Sequence, residues 1–183
     1  MDVQQGDIAF SGKRAWNWYS ASVKYITGSK WSHSFILVGS VNDELSVMEA
    51  DLDVTVVSWQ QQYVVANNDY YQVYRPIKAS QEDIQRATKY CYDNYAEEVY
   101  GFMQIPWFVY RIYAKKWFGI NAKKNWSSQG MFCSELTFDY LYQLGGEYRD
   151  LLKDFTSETA SPQDLDDLVI SRPDLFQFVL ERV

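Results

Sequence analysis

Short strand-like segments crowd the first 76 residues and most helical patterns come after them. That order constrains the fold more than any other feature. Residues 7–10 follow Gly6 and read as a first strand. Residues 33–38 alternate, with His33, Phe35 and Leu37 on one face and Ser34, Ile36 and Val38 on the other. Residues 45–50 follow the Asn42-Asp43 turn and put Leu45, Val47 and Glu49 on one face. Residues 54–59 and 70–74 are further strand candidates, the second ended by Arg75-Pro76. One helical segment, residues 16–26, interrupts the series and closes at Thr27-Gly28.

The second half reads differently. Ser80 caps a helix with acids in its first turn, running to about Asn94. Residues 133–144 form a helix that stops at Gly145-Gly146, and Ser161-Pro162-Gln163-Asp164 opens a short one with proline at its first position. Residues 174–183 form a last strand. The expectation is an α+β fold. A chain of 183 residues supports one domain with a sizeable core, spanning 1–183, with a helical, aromatic-rich insertion at about 101–126 broken near Pro106.

The charge is −7, from 24 acids and 17 bases, which argues against nucleic acid as a partner. With two cysteines, Cys91 and Cys133, the chain has no disulfide scaffold and fits a reducing compartment. One histidine and two distant cysteines do not supply a His/Cys zinc set, so no metal or other cofactor is expected. No signal peptide or transmembrane run is visible, and a cytoplasmic location is the expectation, with delivery by a phage particle or secretion machine left open.

The chemistry lies in Phe132-Cys133-Ser134-Glu135-Leu136 and in the single histidine, His33. A thiol needs a base to become a good nucleophile near neutral pH, and this chain offers one imidazole. At a helix N-terminus, free N–H groups and the dipole favour negative charge on sulfur and could hold an oxyanion. Glu49, on the next strand with its face matched to that of His33, is the candidate to fix the imidazole tautomer. Each residue also has an ordinary explanation. Cys133, Leu136, Tyr140, Leu141 and Leu144 make one helical stripe, so Cys133 could be a small core residue, His33 a satisfied core histidine and Glu49 an exposed strand residue. Cys91, mid-helix with no cationic neighbour, reads as structural.

From Phe102 to Lys124, aromatic residues interleave with Arg111, Lys115, Lys116, Lys123 and Lys124. Three readings stand: a core helix with a basic face, a wall of an apolar groove, or an interfacial membrane helix.

The motifs in order resemble those of the permuted papain-like cysteine hydrolases of the NlpC-type superfamily, in particular the YaeF/YiiX-like branch. Gly6-Asp7-Ile8 is similar to the family's opening strand, Trp31-Ser32-His33-Ser34 to its histidine strand, and Met48-Glu49-Ala50 to the strand that follows. Tyr74-Arg75-Pro76, Phe132-Cys133-Ser134-Glu135-Leu136 and Ser161-Pro162-Gln163-Asp164-Leu165 match later segments. The resemblance spans most of the chain, with histidine before cysteine as in the permuted group. It implies a small antiparallel β-barrel-like sheet packed against the cysteine helix, and a triad of Cys133, His33 and Glu49. It also implies hydrolysis or acyl transfer at an amide, peptide, thioester or ester bond of a peptide, peptidoglycan fragment or lipid conjugate. Two other classes stand beside it: a silent relic that binds proteins as an effector or phage module, and a lipid-handling protein with peripheral membrane contact.

Overall fold

Gly6 and Asp7 set the start of the sheet. Gly6 has φ +95°, and a Cβ there would lie 2.8 Å from Ile84 Cδ1, so the position accepts only glycine without rearrangement. Asp7, fully buried, accepts two hydrogen bonds from Arg75, at 2.8 and 2.9 Å, and one from the Gln4 amide at 2.9 Å. The Gly-Asp and Tyr-Arg-Pro segments, 68 residues apart, are thus two halves of one buried ion pair.

The computed structural model of the chain describes residues 2–12, 24, 29–41, 44–50, 54–65, 70–95, 117, 118, 133–157 and 160–182. Its strands are β1 (Ile8–Gly12), β2 (His33–Val41), β3 (Glu44–Ala50), β4 (Val54–Ser58), β5 (Tyr70–Pro76) and β6 (Phe176–Arg182). They form one sheet in the order β4-β3-β2-β1-β5-β6, every neighbouring pair antiparallel. The helices are α1 (Gln81–Tyr95), α2 (Cys133–Leu144), α3 (Gly146–Leu151) and α4 (Pro162–Ile170). The α+β class is as the sequence order implied.

The sheet is open, which corrects the barrel-like expectation. Strands β4 and β6 are its edges and do not pair. The chain leaves β4 through Trp59 into a π-helical segment, Gln60–Val65, instead of extending a ladder toward β6. Arg182, at the end of β6, donates to the carbonyls of Tyr63 at 2.7 Å and Val64 at 3.3 Å. One side chain therefore joins the two ends of the sheet where a barrel would have a row of backbone bonds.

Both faces of the sheet are covered. On one, Ile8, Phe10, Ile36 and Met48 pack with Leu136, Tyr140 and Leu141 of α2 and with Ile84, Ala87 and Cys91 of α1. On the other, Ala9, Phe35, Leu37, Val47 and Val73 pack with Trp59, Tyr63 and Val179. The Phe35 and Tyr63 rings stack at 4.2 Å.

Helix starts were legible. Ser80 and Asp83 bond reciprocally at α1. Ser161 and Asp164 form a capping box at α4, with Pro162 in its first turn. The stop after residue 144 holds for one residue only: Gly145 takes φ +78° and the chain re-enters helix as α3. The last strand begins at Phe176 rather than at residue 174. The expected helix at 16–26 and the insertion at 101–126 lie outside the described residues, apart from Lys24, Trp117 and Phe118.

Candidate active site

His33 opens β2, opposite Ser11 of β1. The segment ahead of it is tied down by α4. Gln163 Oε1 accepts from the Lys30 amide at 3.0 Å and from Ser29 Oγ at 3.1 Å. Trp31 Nε1 donates to Asp166 Oδ2 at 2.6 Å. The Pro-x-Asp-Leu segment therefore fixes the chain that delivers the histidine, although it lies 130 residues away.

Glu49 sits on β3 directly opposite Phe35, so its side chain shares the face of His33. His33 Nε2 donates to Glu49 Oε2 at 3.0 Å. The Cys133 thiol lies close enough to the same ring to act on it electrostatically. With Nε2 engaged by Glu49, Nδ1 is the ring nitrogen left for a second partner. The structure thus brings together all three residues singled out in the sequence. The His33 side chain is 17% exposed and that of Glu49 6%, while Cys133 is buried at 5%.

Burial opposes a charged imidazole, but the charge and hydrogen bond of Cys133, followed by those of Glu49, outweigh it. The His33 pKa is held well above its ordinary value. Cys91 behaves differently. It is fully buried in α1, and burial, helped by the charge of Asp139, pushes its thiol up to about 12. The structural reading of Cys91 agrees with that placement.

Cys133 is the first residue of α2, where backbone N–H groups lack helical partners. It also belongs to the buried stripe, since Leu136, Tyr140, Leu141 and Leu144 are all in the helix-side core. Packing and chemistry are not alternatives at this position. Leu136 and Tyr140 anchor the helix while Cys133 ends it beside β2.

Three contributors had not been singled out. Ser34 Oγ donates to the Cys133 carbonyl at 3.1 Å, and Thr137 Oγ1 donates to Ser34 Oγ at 3.0 Å and to the same carbonyl at 3.2 Å. These bonds lock the start of α2 onto the residue after His33. Tyr63 donates its hydroxyl to Glu49 Oε2, the oxygen that also accepts from His33. Ser34 stood in plain view in the Ser-His-Ser run. Tyr63 had no signal, because nothing in Gln60–Val65 marks a π-helical turn.

The arrangement is a relay, with His33 between a thiol and a carboxylate. Metal ligands instead converge on one point. Among the described residues no group of three or more His, Cys, Asp or Glu side chains is arranged to hold a metal ion.

No family model matches the chain, and no curated protein does. Among solved structures it is similar to the metalloprotein YiiX of Escherichia coli O157:H7. The TM-score is 0.55 and the identity 21%, with 98% of this chain and 97% of that one covered. The two chains share a YiiX-like fold over nearly their whole length.

Proposed function

We propose that this chain is a permuted papain-like cysteine hydrolase or acyltransferase acting on an amide, peptide or ester bond. The observation that carries the reading is the His33 ring, hydrogen-bonded to Glu49 and under the electrostatic influence of the Cys133 thiol. In the proposed reaction His33 Nδ1 takes the thiol proton as sulfur attacks the carbonyl carbon. The backbone N–H of Cys133 supports the oxyanion. Collapse of the tetrahedral intermediate expels the amine or alcohol, which leaves with the proton held by His33, and gives a thioester on Cys133. Water, or an acceptor amine or alcohol, then attacks the thioester while His33 removes its proton, and Cys133 is released as thiol. Glu49 keeps the imidazole oriented and offsets its charge.

The test is a thiol-directed electrophile on the intact chain, followed by turnover of peptide, amino-acid amide and acyl ester panels. Labelling should vanish in Cys133→Ala, persist in Cys91→Ala and drop in His33→Ala. Equal labelling of both cysteines in the folded protein would refute the proposal.

A second reading concerns where the substrate resides. Trp117 and Phe118 are consecutive and 70% and 76% exposed. The sequence between Glu98 and Glu135 carries Arg111, Lys115, Lys116, Lys123 and Lys124 and no acid, in a chain of net charge −7. Exposed aromatic side chains within a basic stretch suit an anionic lipid surface, so the acyl bond is proposed to be presented there.

A further inference from the structure

We infer that Tyr63 is a positioning residue of the triad, held in place from the opposite edge of the sheet by Arg182. The inference rests on the proposed Cys133-His33-Glu49 chemistry. It is carried by a continuous chain of contacts. Arg182 of β6 donates to the Tyr63 carbonyl at 2.7 Å. The Tyr63 ring stacks on Phe35, at 4.2 Å, and on Trp59, at 5.4 Å, and the residue is 2% exposed. Its hydroxyl reaches Glu49 Oε2, which accepts His33 Nε2 at 3.0 Å.

A carboxylate on a strand has two free side-chain torsions beyond χ1, and one hydrogen bond to a mobile imidazole does not fix them. Tyr63 supplies the second donor. Because both donors meet on one oxygen, the Tyr63 hydroxyl sets where that oxygen lies, and through it the plane of the His33 ring. A core aromatic needs no hydroxyl, and phenylalanine would stack equally well. The π-helical segment places Tyr63 over the second core, and Arg182 stops that segment from lifting off. Glu49 holds the ring directly, and Tyr63 and Arg182 act on it from behind Glu49.

His33 is the only histidine in the chain, so one imidazole titration by NMR reads the site without assignment ambiguity. Tyr63→Phe keeps the ring stack and removes only the hydroxyl. The expected result is a His33 titration moved toward its ordinary value by about half a unit or more, and slower Cys133 labelling, with the thermal midpoint little changed. Arg182→Ala should move the titration the same way by less, and Arg182→Lys should restore part of it. A His33 titration that stays in place or rises in Tyr63→Phe would overturn the inference. Glu49→Gln, run alongside, separates two failures. If it shifts His33 and Tyr63→Phe does not, Tyr63 is only a core residue. If neither shifts His33, the role proposed for Glu49 fails with it.

Discussion

Glu49 lies directly opposite Phe35, and this pairing exists only because the β2–β3 hairpin carries a bulge. From the turn, Val41 pairs with Glu44, Ser40 with Leu45 and Gly39 with Ser46, but Leu37 then pairs with Val47. Val38 is the extra residue. Were Val38 instead paired with Val47, the register would run one residue out, Glu49 would face Ile36, and its carboxylate would point into the helix-side core, away from His33.

Gly39 makes the bulge possible, with φ +107°. A side chain there is strained, and its Cβ would also meet the Gln5 carboxamide at 3.2 Å. Gly39→Ala is expected to cost about 1–3 kcal/mol in urea unfolding and to slow labelling of Cys133 by loosening the register. Wild-type stability together with wild-type labelling would show that the bulge does not depend on glycine.

The link between Ser34 and the Cys133 carbonyl predicts a separation of reactivity from stability. In Ser34→Ala, Thr137 still reaches the carbonyl, so unfolding should change by about 1 kcal/mol only. The Cys133 backbone, however, loses its direct tie to the histidine strand. Displacement on the order of 1 Å can cost up to about 100-fold, and labelling should slow by roughly tenfold or more. Thr137→Val with Ser34→Ala completes a double-mutant cycle. Labelling of Ser34→Ala at the wild-type rate would dismiss the tie.

The sequence exposed the triad because its members sit on elements with strong local signals. His33 and Glu49 lie on period-2 runs near a two-residue turn, and Cys133 opens an apolar helical stripe. Face matching within each strand suggested the His33–Glu49 pair, but pairing across strands also needed the Val38 bulge, which no residue pattern announces. Tyr63 and Arg182 act across the whole sheet, and their meeting depends on how far an open sheet curls. The Asp7–Arg75 pair was visible as two motifs without a stated connection, since a buried ion pair between distant segments leaves no periodic trace.

Breaking that pair from one side should be costly. Asp7 is fully buried and Arg75 is its charged partner. Arg75→Ala leaves a buried carboxylate without its cation and is expected to cost about 3–5 kcal/mol. Adding Asp7→Leu to it should recover much of the loss. Chemical denaturation of the two single variants and the double variant decides this, and a double variant as unstable as the sum of the singles would count against it.

Trp117 and Phe118 give the lipid-surface reading a direct measurement. Co-sedimentation with vesicles containing anionic lipid should retain the wild-type chain at low salt and release it at high salt. Replacing both residues with alanine should reduce retention without altering Cys133 labelling by a soluble electrophile. Retention equal on neutral and anionic vesicles, or unaffected by the double substitution, would rule against an anionic surface.

Stability should carry the mark of the single histidine. Burial lowers the His33 pKa, but Cys133 and Glu49 together raise it well above the ordinary value near 6.5, so the folded state holds this proton more tightly than the unfolded chain does. Its contribution is therefore complete below about pH 6.5 and fades as pH rises through the folded-state value. Carboxylates shared by both proteins cancel when wild type is compared with His33→Gln at each pH. The stability difference between the two, from urea unfolding, should be greatest in mild acid and shrink steadily into the alkaline range. Because Cys133 contributes most to the raised value, the dependence should weaken in Cys133→Ser. A difference that grows with pH would mean that burial, rather than the two partners, governs this imidazole.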